Sequence, residues 1–154
     1  MMKPRVFTPE NRLAKIVAGA DAPTRDQLLQ EAEARLGEMA PAIQAEIRRC
    51  IWKIVQAAAQ DDDAIRAGVQ DLVRAGLEIT NIAVSAELAA IGEVARGFTV
   101  LMDCCAREGV WRRDVFLLHV DALKLVEGQR GEPKTYQNMI ADLHRVRTAI
   151  GVRE

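Results

Sequence analysis

Apolar residues recur along this chain at steps of three and four, and no segment sustains the period-two alternation of a strand. The first strong stripe is Leu28, Leu29, Ala32 and Leu36. It starts at a capping box, Thr24-Arg25-Asp26-Gln27, and is expected to stop at Gly37. Pro41 marks a kink or a new first turn. Beyond it Ile43, Ile47, Cys50, Ile51, Ile54, Val55 and Ala58 form one face. Asp61-Asp62-Asp63 ends that segment and caps the next, in which Ile65, Val69, Leu72 and Val73 predict a helix running into a break over 76–81. A longer helix is expected over 81–108, with Leu88, Ile91, Ala95, Phe98, Met102 and Cys105 as a bundle seam and Gly109 as its C-cap. Gly92 and Gly97 within it cost roughly 1 kcal/mol each against alanine, which points to close approach of a neighbouring helix.

Residues 111–127 are rich in apolar side chains around a single histidine, His119. The loop Gly128-Gln129-Arg130-Gly131-Glu132-Pro133 follows. A last helix then presents Tyr136, Met139, Ile140, Leu143, Val146 and Ile150 on one face and ends at Gly151. At the other end, residues 1–10 read as an N-terminal arm. Leu13, Ile16 and Val17 anchor a short helix that stops at Gly19. The prediction is an all-α bundle of four principal helices with one or two short N-terminal helices, a single domain over 11–151.

Composition narrows the function classes. A chain of 154 residues with 49% apolar, 28% charged and 4% aromatic residues suits a helical globule rather than a sandwich or barrel. A formal net charge of −1 supplies no basic field for nucleic acid. The longest low-charge stretch, 79–100, carries Glu87, Glu93 and Arg96 and makes a poor membrane span. The start lacks the apolar run of a secretory signal, and Cys50, Cys104 and Cys105 read as core thiols of a reducing compartment, so the expected location is the cytoplasm. Of Cys104 and Cys105, one is expected in the core and the other at its boundary.

Candidate chemistry is thin. There is no nucleophile elbow, phosphate loop, dinucleotide glycine fingerprint or helical His-Glu-x-x-His pair, and no cofactor or metal is expected. The acidic triplet lacks the glycine and terminal glutamate of a calcium loop. His119 is the one candidate phospho-acceptor, because histidine phosphotransfer domains display an imidazole on a bundle helix. Two features oppose that role. Asp114, Asp121, Lys124 and Glu127 gather on one side of the helix while His119 projects nearly opposite, beside Val115, Ala122, Leu123 and Val126. Ala122 and Leu123 also stand where the phosphotransfer pattern has lysine and glycine. The helix is then a central packing element, or one side of an interface formed by Trp111, Phe116, His119 and Leu123. Glu46-Ile47-Arg48-Arg49 and Arg145-Val146-Arg147 read as solvated helix faces, and His144 as water-facing.

Asn11-Arg12-Leu13-Ala14-Lys15-Ile16, the Ala/Glu-rich helix after it, Asn81-Ile82-Ala83, Ile91-Gly92-Glu93, Trp111 and His119-Val120-Asp121-Ala122-Leu123-Lys124-Leu125 come in an order and spacing that resemble a known family. These are small alphaproteobacterial proteins encoded in chemotaxis clusters and often labelled CheE-like. The resemblance covers residues 11 to about 126, and its individual motifs are short. Val84-Ser85-Ala86 departs from it where the family has a glycine-containing turn. The resemblance implies a cytoplasmic signalling accessory without established enzymatic activity, in contact with response regulators or a receptor-kinase array. The alternatives are phosphotransfer through His119 and a homodimeric helical scaffold.

Overall fold

The computed structural model describes residues 24–86, 88–127 and 133–152. The N-terminal arm, the short helix expected at 11–17 and most of the loop at 128–133 lie outside the described residues. Six helices and no strand occur among them: α1 (Arg25–Ala58), α2 (Asp62–Ala67), α3 (Val69–Ser85), α4 (Ala89–Glu108), α5 (Arg113–Val126) and α6 (Pro133–Ala149). The fold is an all-α helical bundle, the class that the periodicity predicts. No helix of the described residues is long and apolar enough to cross a membrane.

The chain divides into two compact units, Met1–Glu38 and Met39–Glu154, and α1 contributes to both. In the first unit α1 opens on the expected capping box. The Gln27 amide N–H donates to Thr24 Oγ1 at 3.2 Å and the Thr24 N–H donates to Gln27 Oε1 at 2.8 Å. Every described residue of this unit is exposed. The expected stop at Gly37 does not occur, and α1 runs through Pro41. A single proline removes one backbone hydrogen bond, and the good helix formers on both sides carry the helix across.

In the second unit α1 buries Ile47, Cys50, Ile51 and Ile54. Asp61 caps α2, its carboxylate accepting the Ala64 N–H at 2.8 Å. The break expected over 76–81 lies instead at Gly68, between α2 and α3. Gly76 serves a different purpose: a Cβ placed there would lie 3.2 Å from Phe98 Cδ1 and run into Thr99 Oγ1. One on Gly92 would lie 3.2 Å from the Ala83 Cβ. α3 and α4 therefore pack antiparallel with backbones close together, and the chain must reverse about midway between the two contacts. It does so between the end of α3 and the start of α4, where the Leu88 N–H reaches the Ala83 carbonyl at 2.9 Å. The helix expected over 81–108 accordingly starts at Ala89. Tertiary pairing overrides a segment whose local pattern is helical throughout.

α4 ends as expected at Gly109, whose φ of 70° is a left-handed cap. The Phe116 ring of α5 then packs 6.0 Å from Phe98 and 5.4 Å from Trp111, centroid to centroid. α6 closes at Gly151, with the Val152 N–H donating to the Arg147 carbonyl at 3.1 Å and the Val152 side chain buried.

Candidate functional site

His119 is the centre of the only wholly buried polar pair that the bundle displays among its described residues. Its relative exposure is 0%, and that of Arg147 on α6 is 6%. The ring's Nδ1 lies 2.8 Å from the Val115 carbonyl oxygen, one turn back on α5. A carbonyl can only accept, so Nδ1 carries the proton and donates. Nε2 therefore keeps its lone pair, and Arg147 Nη1 donates to it at 3.1 Å. The imidazole is neutral, with both nitrogens engaged. Burial and, to a smaller extent, the adjacent guanidinium push its pKa down to about 4, against the opposing pull of the Val115 carbonyl.

The third member of the arrangement is Gly97. A Cβ there would stand 2.9 Å from the Arg147 Cζ and 3.2 Å from Nη2, so the absence of a side chain on α4 makes the space the guanidinium occupies. The close approach expected at Gly97 is thus to an arginine side chain. Arg147 itself corrects the reading of 145–147 as a solvated face: Arg145 is exposed, but Arg147 takes a position in the apolar stripe.

Phosphoryl transfer to His119 demands more than this geometry offers. At Nε2 the incoming phosphorus would have to occupy the place of the Arg147 guanidinium. At Nδ1 it would have to displace the proton held by Val115. Either route requires α5 and α6 to part around the pair. The interface expected at Trp111, Phe116, His119 and Leu123 is likewise internal: Phe116, His119 and Leu123 are fully buried and Trp111 is half-buried against Phe116. The apolar arc of α5 is filled by this chain's own helices. Trp111 also donates its indole N–H to Asp62 at 2.9 Å, and Arg113 binds the other oxygen of that carboxylate at 2.6 Å. Together, the indole first and then the guanidinium, they hold the Asp62 pKa below its usual value. Asp62, from the acidic triplet, pins the start of α5 to the first turn of α2. The Cys104 and Cys105 side chains are both buried, where one was expected at the boundary, since the α4 arc they share is covered on both sides. His144 is exposed, as its position at the stripe's edge implies.

One other cluster places metal-binding atom types together. Glu46 and Cys50 of α1 and Glu78 of α3 bring their ligand atoms within 4.8 Å of one another. Local spacing carries no sign of it, because Glu78 comes from another helix. Arg49 already binds both carboxylates, contacting Glu78 at 3.3 Å, and the Cys50 thiol donates to Glu78 at 3.1 Å. Burial, followed by the Glu78 carboxylate, pushes that thiol up to about 11. A protonated thiol and two carboxylates facing an arginine form an ion-paired network, and a cation would have to displace the arginine and the thiol proton to enter it. Two grooves of about 400 Å³ each are open to solvent. Neither gathers a nucleophile with a base.

On the outward side of α5, Leu117, Leu118 and Leu125 are 36%, 45% and 56% exposed. Asp121 and Lys124 lie among them, paired at 3.2 Å. Sequence reasoning weighted the histidine side of this helix and passed over these leucines, although the polar residues around them marked the face as outward. Comparison of the chain with protein-family models, with curated proteins and with solved structures finds no match.

Proposed function

We propose that this chain is a non-catalytic accessory of chemotaxis or two-component signalling, acting in the cytoplasm, that binds response regulators or components of a receptor-kinase array through a helical face. The observation that carries the reading is the outward row of α5. Leu118 and Leu125 sit two turns apart on one side, about 10 Å from each other along the axis, with an ion pair beside them. Apolar anchors with a charged rim match the anatomy of a protein-binding face. The resemblance to the CheE-like family supplies the signalling context. The buried, fully hydrogen-bonded His119 favours binding over group transfer.

Binding of purified receiver domains and array components to the wild-type chain and to a Leu118→Glu, Leu125→Glu double variant tests the reading. Each lost leucine anchor is worth about 1.5–3 kcal/mol, so the double variant is expected to bind at least about tenfold more weakly. Its thermal unfolding should be unchanged, because both side chains already meet water. Equal affinity of the two proteins would sink the α5 face. Radiolabel passing from a phosphorylated receiver to the wild type but not to His119→Ala would replace binding with phosphotransfer.

A further inference from the structure

α6 is held to the bundle differently from the helices it meets. Of the fourteen residues 113–126 of α5, seven are buried. Of the fourteen residues 136–149 of α6, three are buried, Tyr136, Leu143 and Arg147, and one of those three carries a charge. Met139, Ile140 and Val146 reach the core only in part. The seam with α4 is incompletely filled. A groove of about 400 Å³ runs between Ala90 and Val94 on one side and Ile140, Leu143 and His144 on the other, and reaches as far as Arg147.

The contact that anchors the C-terminal half of α6 is itself costly. Docking takes the Arg147 guanidinium out of water and sets it against an imidazole that must stay neutral to accept its hydrogen bond. A desolvated charge recovers only part of its lost hydration from protein partners, which is why apolar groups of like volume often replace such a group without loss of stability. Few apolar contacts on α6 offset that cost. α3 and α4, in contrast, approach backbone to backbone at Gly76 and Gly92, and α4 buries eleven residues. Local opening starts at the elements with the fewest buried apolar contacts.

We infer that α6 is a releasable strap: it swings away while α3, α4 and α5 keep their packing, and Arg147 leaves with it and uncovers His119. This release is the parting of α5 and α6 that access to Nε2 requires. Closed, the strap hides the imidazole behind the guanidinium. Open, it returns both groups to water and presents His119 and Val94 to a binding partner, while the exposure of Tyr136 and Leu143 draws it shut again. The surface concerned is separate from Leu118 and Leu125, so this inference and the α5 binding face can fail independently.

Native-state hydrogen exchange of the full chain tests it. The slowest amides of α6 are expected to be at least about tenfold less protected than the slowest of α3 and α4. Denaturant should lower their protection with a shallower slope, because the opening exposes one helix face and not the whole core. Diethyl pyrocarbonate gives a second readout, since the chain has two histidines and His144 is exposed. His119 should react more slowly than His144 by the protection factor of α6, not by the larger factor of α4. Arg147→Met with His119→Leu removes the polar pair at similar volume and should narrow the gap in protection between α6 and α4. If α6 shares the protection and the denaturant slope of α3 and α4, it leaves only on global unfolding and the inference is overturned. Modification of His119 at the rate set by α4 overturns it equally. A gap that persists in the double variant overturns the role given to the buried pair. Both wild-type measurements decide the matter without the variant, should it not fold.

Discussion

His119 shows how one side chain can carry pH dependence without carrying catalysis. In the folded chain its pKa falls from the ordinary 6.5 to about 4, because burial and Arg147 both disfavour the imidazolium. Unfolding restores the ordinary value, so the unfolded chain takes up the proton first as the pH drops. The stabilisation is complete above pH 6.5 and is lost progressively on acidification towards about pH 4. A shift of this size corresponds to on the order of 3 kcal/mol. Thermal unfolding followed across that window should show a falling midpoint for the wild type. His119→Gln, whose amide can still donate and accept, should show a flatter profile above the range in which carboxylates titrate. Equal slopes would mean that the ring is not held neutral in the fold. The burial of His119 was legible from its angular position opposite Asp121 and Lys124. Its partner was not, because an arginine flanked by Arg145 and Thr148 reads as surface. The missed signal was the spacing Tyr136, Ile140, Leu143, Arg147, Ile150, which places Arg147 within the stripe.

At the level of the helices, two glycines that look alike in sequence have opposite roles. Gly37 has open space where a Cβ would go, so Gly37→Ala should strengthen α1 by up to about 1 kcal/mol and raise helical ellipticity. Gly76 faces Phe98 and Thr99 across the α3/α4 contact, and the Thr99 hydroxyl is itself held by the Ala95 carbonyl at 2.9 Å. Gly76→Ala must push the helices apart or force Thr99 from its rotamer, at a cost of about 1–3 kcal/mol that outweighs the gain in propensity. Denaturant unfolding of the two variants should therefore shift in opposite directions, and a stabilised Gly76→Ala would refute the close packing. The same pair explains which boundaries could be read in advance. Caps written in local chemistry, at Thr24, Asp61, Gly109 and Gly151, fall where the sequence places them. Breaks at Gly37 and Gly76 do not, because a glycine within a helical pattern can stop the helix, admit a close neighbour as Gly76 does, or simply be tolerated as Gly37 is, and local sequence does not distinguish these. The connection from α3 to α4 carries no glycine or proline in sequence, and only the pairing of the two helices requires the reversal.

For the whole molecule, the apolar surface is distributed in a telling way. Stripes on α1, α4, α5 and α6 that periodicity identifies as core are buried in the second unit, so the all-α class was legible from spacing alone. What spacing cannot rank is which stripe this chain covers itself. α1 and α4 both carry three-four seams, yet the α4 seam is interior and the α1 seam is exposed until Met39. The close α3/α4 pairing has a kinetic consequence as well. Three residues separate the two helices, so bringing them together closes a very short loop and costs little chain entropy. The Arg147–His119 pair instead needs residues 28 positions apart to meet. The hairpin should accordingly assemble early and the docking of α6 late. Gly76→Ala is then expected to slow refolding, while His119→Gln mainly accelerates unfolding, a division that stopped-flow measurements of both rates would reveal.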